Sequence, residues 1–328
     1  MNQSQKNILK KNYPTLKKLA DFSGNSIEEL IMVFMDYKPA SAEPIYFNEE
    51  LKINLPRIQK LANNLGIYFS TSAHKYIINS PRGIFTEIPL NDTRLGKIIL
   101  SFSKSADKAF NGAFYYHKKM LDSSYGYKFG ELMGYPECCL KFGDYLANNN
   151  SDPKNFGFKN PAIESLKRSK HFDWHLNVFT TSLIPHFPCS LTCKKSIEYV
   201  KKVIECLECI KELDIDKKKK HLTQPASLYW TCADRILLYG EYKAYSLGYG
   251  EISYSKLESK VASGTFYQIV DEDNLELWNK IYKHLEQGNK LVVTKHYCRI
   301  YKDNALLFQL KKEDQHTPIL IKPDILPK

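Results

Sequence analysis

The sequence predicts a mixed fold of helices and strands, of the α/β or the α+β class, and three observations support this prediction. Helical periodicity dominates residues 3–64. A continuous apolar run at Lys97–Phe102 precedes an amphipathic helix, and Tyr-rich segments with strand-like patterns follow Gln224. We therefore expect a central α/β core with a helical N-terminal segment and a smaller α+β C-terminal domain, with regions at 1–92, 93–222 and 223–328.

The composition is that of an ordinary globular protein, with 43% hydrophobic and 25% charged residues among 328. No apolar run approaches the ~18–20 residues that span a bilayer, and the first residues lack the apolar segment of a signal peptide. We therefore predict a cytoplasmic protein without a membrane partner. In a reducing compartment, the eight cysteines indicate packing, metal binding or catalysis rather than disulfides.

The net charge of +11 and the pI near 9.0 suit a polyanionic partner such as RNA, or an anionic substrate. The lysines can equally be ordinary solvated side chains, because a basic pI becomes a binding footprint only where the charge is clustered. Charge alone therefore leaves nucleic-acid binding open.

The first 92 residues are predicted to form helices followed by a meander of strands. Asn25 and Ser26 provide a helix cap, with two glutamates in the turn that follows. The segment Lys38–Pro44 contains two prolines and is expected to break that helix. The other predicted elements are helices at 3–22 and 48–64 and strands at 66–70, 76–79 and 84–88.

Lys97–Phe102 is an apolar run of the kind that forms a strand covered on both faces. A polar turn and a helix at 106–120 follow it. The turn could hold an anion at the helix N-terminus, with Lys104 and Ser105 as the cofactor-binding residues, although no Gly-x-Gly or Walker pattern accompanies them. His117 lies on the apolar face of that helix, where a hydrogen-bonded core histidine is the favoured interpretation.

Four of the cysteines fall in two short segments, 134–139 (Gly-Tyr-Pro-Glu-Cys-Cys) and 186–193 (His-Phe-Pro-Cys-Ser-Leu-Thr-Cys). In each segment the cysteines follow a proline and open a stretch with helical periodicity. Proline is favoured at the first position of a helix, so both pairs are predicted to lie in a first turn, where unpaired N–H groups and the helix dipole favour a thiolate. Two thiol pairs placed in the same way predict one site that folding brings together.

Residues 174–182 are predicted to form a strand. His171 and His175 have the i, i+4 spacing of a metal-binding pair on a helix, but the neighbouring strand makes a helix doubtful.

The helix after Pro188 has the clearest periodicity in the chain, and it places Cys193 on the buried seam. Cys206 and Cys209 form a CxxC pair in the body of this helix, where buried core cysteine is the favoured interpretation. The charged run 216–220 is expected to end the helix as a solvated terminus that complements the dipole.

The C-terminal region is predicted to be Tyr-rich and largely β. Cys232 and Cys298 are single cysteines within it, and packing is their favoured role. The predicted elements are strands at 227–239, 251–257, 290–294, 297–301, 305–310 and 319–321 and a helix at 273–286.

The phrase Gly-Tyr-Pro-x-Cys-Cys, followed about 50 residues later by His-x-Pro-Cys-Ser-x-x-x-Cys, resembles the signature of a family of prokaryotic proteins of unknown function. The match covers about Lys97 to Cys209, and the resemblance brings no assigned reaction. The residues that carry it are Gly134, Tyr135, Pro136, Cys138, Cys139, His186, Pro188, Cys189, Ser190 and Cys193.

Four thiols and a histidine allow three kinds of site, and the first is a metal centre. Its predicted ligands, for zinc or an iron–sulfur cluster, are Cys138, Cys139, Cys189, Cys193 and His186. Adjacent helix positions diverge by ~100°, so Cys138 and Cys139 are awkward as joint ligands. This favours three thiolates, with or without the histidine, and an open position for substrate or water.

The second kind of site is a metal-free dithiol or sulfur carrier, in which one thiolate attacks, its neighbour resolves the intermediate, and His186 moves the proton. The third kind is a closed zinc site that pins two helix starts. Two function classes follow. A thiolate-dependent transferase or oxidoreductase, with Cys138, Cys139 and His186 as catalytic residues, would act on a small molecule, nucleotide, RNA or peptide. A zinc-stapled protein would bind nucleic acid through its basic surface.

Overall fold

The computed structural model describes residues 1–78, 85–148, 161–180, 182–229, 234–261, 272–311 and 318–323. The chain divides into two compact units, Met1–Phe158 with Glu198–Ile215, and Lys159–Ile197 with Asp216–Lys328. Among the described residues each unit holds one sheet, and the strand pairs of both sheets are antiparallel. Antiparallel sheets with separate helices make an α+β fold, one of the two predicted classes.

Helices and strands have the following bounds. The helices are α1 (Gln3–Ser23), α2 (Ile27–Phe34), α3 (Glu49–Asn64), α4 (Ala106–Leu121), α5 (Gly126–Leu132), α6 (Glu137–Asn148), α7 (Pro161–Lys167), α8 (Lys194–Leu207), α9 (Ile215–Thr223) and α10 (Glu272–Gln287). The strands are β1 (Ala40–Tyr46), β2 (Tyr68–Thr71), β3 (Lys75–Ile78), β4 (Phe85–Ile88), β5 (Lys97–Ser103), β6 (Ala226–Tyr229), β7 (Asp234–Ser246), β8 (Tyr249–Val261), β9 (Lys290–Val293), β10 (Tyr297–Lys302), β11 (Ala305–Lys311) and β12 (Ile319–Ile321).

The sheet of the first unit is organised around β5, whose seven residues are all buried. Its strands lie in the order β1-β5-β3-β4, and β2 also pairs with β5. Because β1 pairs with the whole length of β5, β2 and β3 share its opposite side. A strand paired on both sides and covered on both faces accounts for the unbroken apolar run in the sequence.

The sequence predicts only a helix break at Lys38–Pro44, whereas the structure has β1 over most of that segment. Pro44 is compatible with a strand because β1 lies at an edge of the sheet, where a missing N–H leaves the ladder intact. Proline is compatible with an edge strand as well as with the end of a helix, and the sequence pattern indicated only the helix end.

α4 packs against the first sheet and carries the predicted core histidine. His117 is 4% exposed, and its Nε2 lies 2.6 Å from Glu87 Oε2. Burial lowers the pKa of His117, and the hydrogen bond with Glu87 acts in the opposite direction. Among the described residues Nδ1 has no hydrogen-bond partner. The core position is therefore confirmed, and the expected hydrogen bonding is met at one ring nitrogen.

The sheet of the second unit has seven strands in the order β11-β10-β9-β8-β7-β6-β12. The long pair β7 and β8 shifts register between Tyr239 and Gly240. A Cβ at Gly240 would lie 1.9 Å from the Ser253 carbonyl oxygen, so only glycine fits at this bulge. Ile281 and Leu285 of α10 are fully buried in the core of this sheet. The strands predicted after residue 290 and the helix before them correspond to β9–β12 and α10.

The strand predicted at 174–182 is wrong. The structure has a 3-10 turn at Trp174–Leu176, followed by irregular backbone. Asp173 starts this turn, because its carboxylate accepts a hydrogen bond from the His175 N–H and lies 2.7 Å from Nδ1 of the same residue. Leu176 and Phe179 are fully buried without a strand ladder, so their apolar character reports burial and not strand pairing.

The expected helix end at 216–220 is also wrong. α8 ends at Leu207, and the lysine run lies in the separate helix α9. Beyond Leu207 the backbone tightens, with the Ile210 N–H donating to the Leu207 carbonyl at 3.0 Å. Cys209 therefore lies outside the helix that was expected to contain it.

Within the part of the chain that is described, no helix combines the length and the apolar character needed to cross a bilayer.

Candidate metal centre

The first cysteine pair is placed by the start of α6. Gly134 adopts a φ of 74°, and a Cβ there would lie 2.7 Å from Pro39 Cδ, so the turn before the helix requires glycine. The Pro136 carbonyl then accepts a helical hydrogen bond from the Cys139 N–H at 2.8 Å. Cys138 and Cys139 therefore lie in the first turn, as predicted, with Cys138 exposed and Cys139 only 5% exposed.

The second pair lies on the approach to α8. The Cys193 carbonyl accepts the Ile197 N–H at 3.0 Å, so Cys193 is the residue that caps the helix. Cys189 lies four residues earlier in irregular backbone, so its predicted place in the helical turn is wrong. This segment is held because the Ser165 hydroxyl donates to the Pro188 carbonyl. Cys193 is 7% exposed and Cys189 is half-buried.

These four cysteines form one group. The sulfur atoms of Cys138, Cys139, Cys189 and Cys193 all lie within 4.8 Å of one another. The sulfurs of the sequence neighbours Cys138 and Cys139 are 4.0 Å apart. The expected divergence of adjacent helix positions therefore does not keep these two sulfur atoms apart. The group can hold a metal ion.

The donor set and its spacing fit one thiolate-bound ion. A zinc–sulfur bond of ~2.3 Å places the corners of a tetrahedron about 3.8 Å apart. The four sulfurs lie within 4.8 Å of one another, and rotation of the cysteine side chains can bring them to the sulfur–sulfur separation of such a tetrahedron. Thiolates select zinc, iron or Cu(I) over magnesium and calcium, which prefer oxygen ligands.

His186 is not one of the grouped ligands. Its Nε2 lies 3.0 Å from the Ser196 hydroxyl, which donates to the Cys193 sulfur at 3.4 Å. The Ser196 hydroxyl therefore contacts both the His186 imidazole and the Cys193 sulfur. His186 thus reaches Cys193 through the fully buried Ser196.

Lys104 and Ser105, the predicted anion site, lie at the start of α4. Ser105 caps the helix, with its hydroxyl accepting from the Lys108 N–H at 3.4 Å. The Lys104 Nζ lies 5.7 Å from the centroid of the Phe34 ring. Both side chains have these contacts within the first unit, and the anion site stays a prediction.

The other described cysteines are not members of the group. Cys206 and Cys298 are fully buried, which confirms the packing interpretation for both. Burial raises the pKa of the Cys206 thiol to about 12, so this sulfur stays protonated. The half-buried Cys209 donates to the Glu205 carbonyl at 3.1 Å. Cys232 lies outside the described residues.

Sequence reasoning missed Ser196 and a buried polar contact in the first unit. Ser196 lies three residues after Cys193, and this helical spacing was the signal that could have found it. In the first unit, the Lys38 amine contacts the Glu29 carboxylate, which also accepts the Tyr199 hydroxyl at 3.0 Å. Glu29 and Tyr199 are 170 residues apart, so no local pattern joins them.

Comparison of the chain with family models, with curated proteins and with solved structures finds no match. The chemistry of the site therefore stands on its own residues.

Proposed function

We propose that this protein is a thiolate-dependent metal enzyme in which the four grouped cysteines hold one ion and Cys138 is the exchangeable ligand. The observation that carries this proposal is the difference in exposure within the group. Cys138 is exposed, whereas Cys139 and Cys193 are buried and Cys189 is half-buried. A ligand at the solvent boundary can leave for a substrate atom, and that opens the position a catalytic metal needs.

The spacing of the sulfurs supports a single ion over an iron–sulfur cluster. In a cluster, metal–metal separations add to the distances between thiolates, whereas one ion draws all four to a common centre. Separations within 4.8 Å suit the second arrangement. Zinc and iron both accept four thiolates, so the ion is of that class.

When bound, such an ion supplies a Lewis acid that polarises a substrate group. The chain's own residues hold and orient its ligands. The Ser196 hydroxyl supports the Cys193 sulfur, and His186 orients that hydroxyl. This arrangement makes His186 a positioning residue that acts through Ser196, in place of the ligand role that the sequence suggests.

A closed structural zinc site is the second candidate, and the completeness of the ligand set favours it. Four thiolates already fill a tetrahedral ion, as in structural zinc sites. A metal-free dithiol site is the third candidate, because the 4.0 Å between the Cys138 and Cys139 sulfurs would let one thiol attack an intermediate on the other.

The deciding experiment starts from metal and acid-labile sulfide content of the full chain purified without oxygen. We expect one ion per chain and no sulfide. In Cys138→Ser, we expect the ion and the melting temperature to be largely kept, and the exposed thiol of the group to be lost. In Cys193→Ser, we expect the ion to be lost and the melting temperature to fall. Cys298→Ser, at a fully buried cysteine of β10 that is not in the group, is the matched control and should keep the ion.

Two results would overturn the proposal. Loss of metal and stability in Cys138→Ser, to the same extent as in Cys193→Ser, would establish a closed structural site. Metal-free protein whose Cys138 and Cys139 alkylate rapidly near neutral pH would establish the dithiol site.

A cytoplasmic location, the family resemblance and the partner classes belong to this proposal as predictions. A net charge of +11 supports a small anionic substrate or RNA.

A further inference from the structure

Asp173 and His175 form a carboxylate–imidazole pair that has no part in holding the four sulfurs. The Asp173 carboxylate accepts from the His175 N–H at 3.0 Å and lies 2.7 Å from Nδ1 of the same residue. The Trp174 ring stacks against the imidazole, with ring centroids 3.9 Å apart. One edge and one face of the imidazole are therefore held, which leaves the ring little freedom to turn.

The contact with Asp173 determines which nitrogen of the imidazole can act as a base. Burial acts to raise the pKa of Asp173, but the hydrogen bonds from His175 outweigh it and hold this pKa below its usual value. An ionised carboxylate only accepts hydrogen bonds, so Nδ1 carries a proton. In the neutral imidazole, the lone pair that can take a proton is then on Nε2.

Nε2 of His175 has no hydrogen bond to another residue in the described part of the chain. It is not one of the fully buried atoms that lack a partner, so this nitrogen is open to solvent. The side chain as a whole is 16% exposed. Buried polar groups of a structural kind are paired, whereas His175 presents an oriented and unpaired lone pair at the surface.

Asp173 also holds the segment that carries the second cysteine pair. Its N–H donates to the Leu191 carbonyl at 3.1 Å. Leu191 lies between Cys189 and Cys193, and all of these residues belong to one compact unit. Through its carboxylate and its N–H, Asp173 therefore connects His175 to the backbone that places two of the four sulfurs.

We propose that His175 is the proton-transfer residue of the metal site and that Asp173 is its positioning residue. The inference rests on the proposed function and adds the chemistry of the substrate, which is water or a small molecule with a weakly acidic O–H or S–H group. The proton of that group passes to Nε2, and the electron pair of the broken bond stays on oxygen or sulfur.

The oxygen or sulfur atom then forms a bond to the electrophilic atom of the substrate. The bond from that atom to the leaving group breaks, and its electron pair goes with the leaving group, which takes the proton from the imidazolium. The Asp173 carboxylate stabilises the imidazolium between the two transfers. The steps consume no oxidant or reductant, and His175 ends in the neutral form in which it began.

The first test measures the tautomer of His175 in the full-length wild-type protein. Nitrogen-15 chemical shifts distinguish a ring nitrogen that carries a proton from one that does not, and His175→Gln identifies the signals. We expect the Nδ1–H form to dominate in the neutral ring. A dominant Nε2–H form would overturn the proposal, because the open nitrogen would then have no lone pair. In Asp173→Ala, we expect the Nε2–H population to rise several-fold, and an unchanged tautomer would overturn the role of Asp173.

The second test measures whether His175 lies at the ion. Cobalt(II) takes the place of zinc in thiolate sites, and its unpaired electrons broaden the NMR signals of nearby nuclei, with an effect that falls steeply with distance. We expect the ring signals of His175 to be lost in the cobalt-loaded protein and kept in the zinc-loaded protein, which is the matched diamagnetic control. Sharp His175 signals in both would show that the residue lies away from the ion.

These results separate the inference from the function on which it rests. A thiolate-to-cobalt absorption band together with sharp His175 signals keeps the metal site and overturns the inference. Protein that binds neither cobalt nor zinc overturns both. His175→Gln should keep the ion, unlike Cys193→Ser, because Nε2 takes a proton and does not hold the ion. Loss of the ion in His175→Gln would contradict the proton-transfer role and make His175 a support of the ligands.

Discussion

Cys193 and Cys206 lie at the two ends of one helix, and their settings differ in a way that burial does not capture. Cys193 caps the start of α8, and Cys206 lies in its last turn. Both are buried, at 7% and 0% exposure. Cys193 has a hydroxyl donor and lies in a group of four sulfurs, whereas the Cys206 sulfur lies 3.4 Å from the Met1 sulfur.

The ends of a helix also differ in their electrostatics. Unpaired N–H groups at the start of a helix favour a negative sulfur, whereas unpaired carbonyls at its end oppose one. Burial has already raised the pKa of Cys206 to about 12. The comparison shows that polar partners and neighbouring sulfurs, and not exposure, distinguish a cysteine that could bind a metal from a packing cysteine.

The largest expected effect is on metal content and stability. Cys193→Ser should abolish tight metal binding and lower the free energy of unfolding by several kcal/mol, because an ion bound only by the folded chain adds its binding energy to the stability of the fold. Cys206→Ala should keep the metal and cost about 1–3 kcal/mol, from lost packing alone. Metal analysis and denaturant unfolding measure both. Equal losses in the two variants would break the comparison.

The next effect concerns the hydrogen bonds behind Cys193. Ser196→Ala should weaken metal affinity by about 10–100-fold while leaving the fold intact, because the hydroxyl supports the ligand and does not bind the ion. Chelator competition measures the affinity. Ser190→Ala, whose hydroxyl pairs with Thr192 at 3.2 Å, is the matched control.

His186→Gln sharpens this result, because His186 and Ser196 act along one path. The double variant should be no weaker than Ser196→Ala alone. Additive losses would show that His186 reaches the metal by a separate route.

At pH 8, the rate of thiol alkylation should differ between Cys138 of the cysteine group and the packing residue Cys206. In chelator-treated protein, Cys138 should alkylate first, since its side chain is exposed. Cys206 should react slowest, because a thiol with a pKa of about 12 is ionised in only ~1 molecule in 10⁴ at this pH. Mass spectrometry after timed iodoacetamide labelling gives the order, and early labelling of Cys206 would contradict it.

The smallest expected effect is a slope in stability with pH. The Cys206 thiol has a raised pKa in the folded state, so above about pH 8.5 the unfolded chain loses this proton first. The unfolded state then binds fewer protons, and the contribution of Cys206 to stability falls as pH rises. Cys206→Ala should remove about 1–2 kcal/mol of that fall between pH 8.5 and 10. Parallel unfolding curves for the two proteins across this range would count against it.

Much of the fold could be predicted where local pattern and burial agree. β5 is apolar because it is covered on both faces, and β12 was predicted with its observed bounds. The cysteine group was predictable because proline before each pair marks the approach to a helix.

The remaining elements depended on tertiary contacts. The sequence predicted a break at Pro44, because proline fits a strand only at the edge of a sheet and the position of a strand in the sheet depends on tertiary contacts. Leu176 and Phe179 are fully buried but belong to no strand. Their apolar pattern indicates burial, and it does not distinguish a strand from buried irregular backbone. The contact of Lys38 with Glu29, and of Glu29 with Tyr199, joins distant parts of the chain and leaves no trace in local pattern.

The edge strand β1 also affects how the protein behaves at high concentration. An open strand edge is a template on which a second chain can add by backbone pairing, the first step of aggregation. Pro44 interrupts the row of N–H donors that such pairing needs. We therefore expect Pro44, which obscures this strand in the sequence, to oppose the addition of a second chain along this edge.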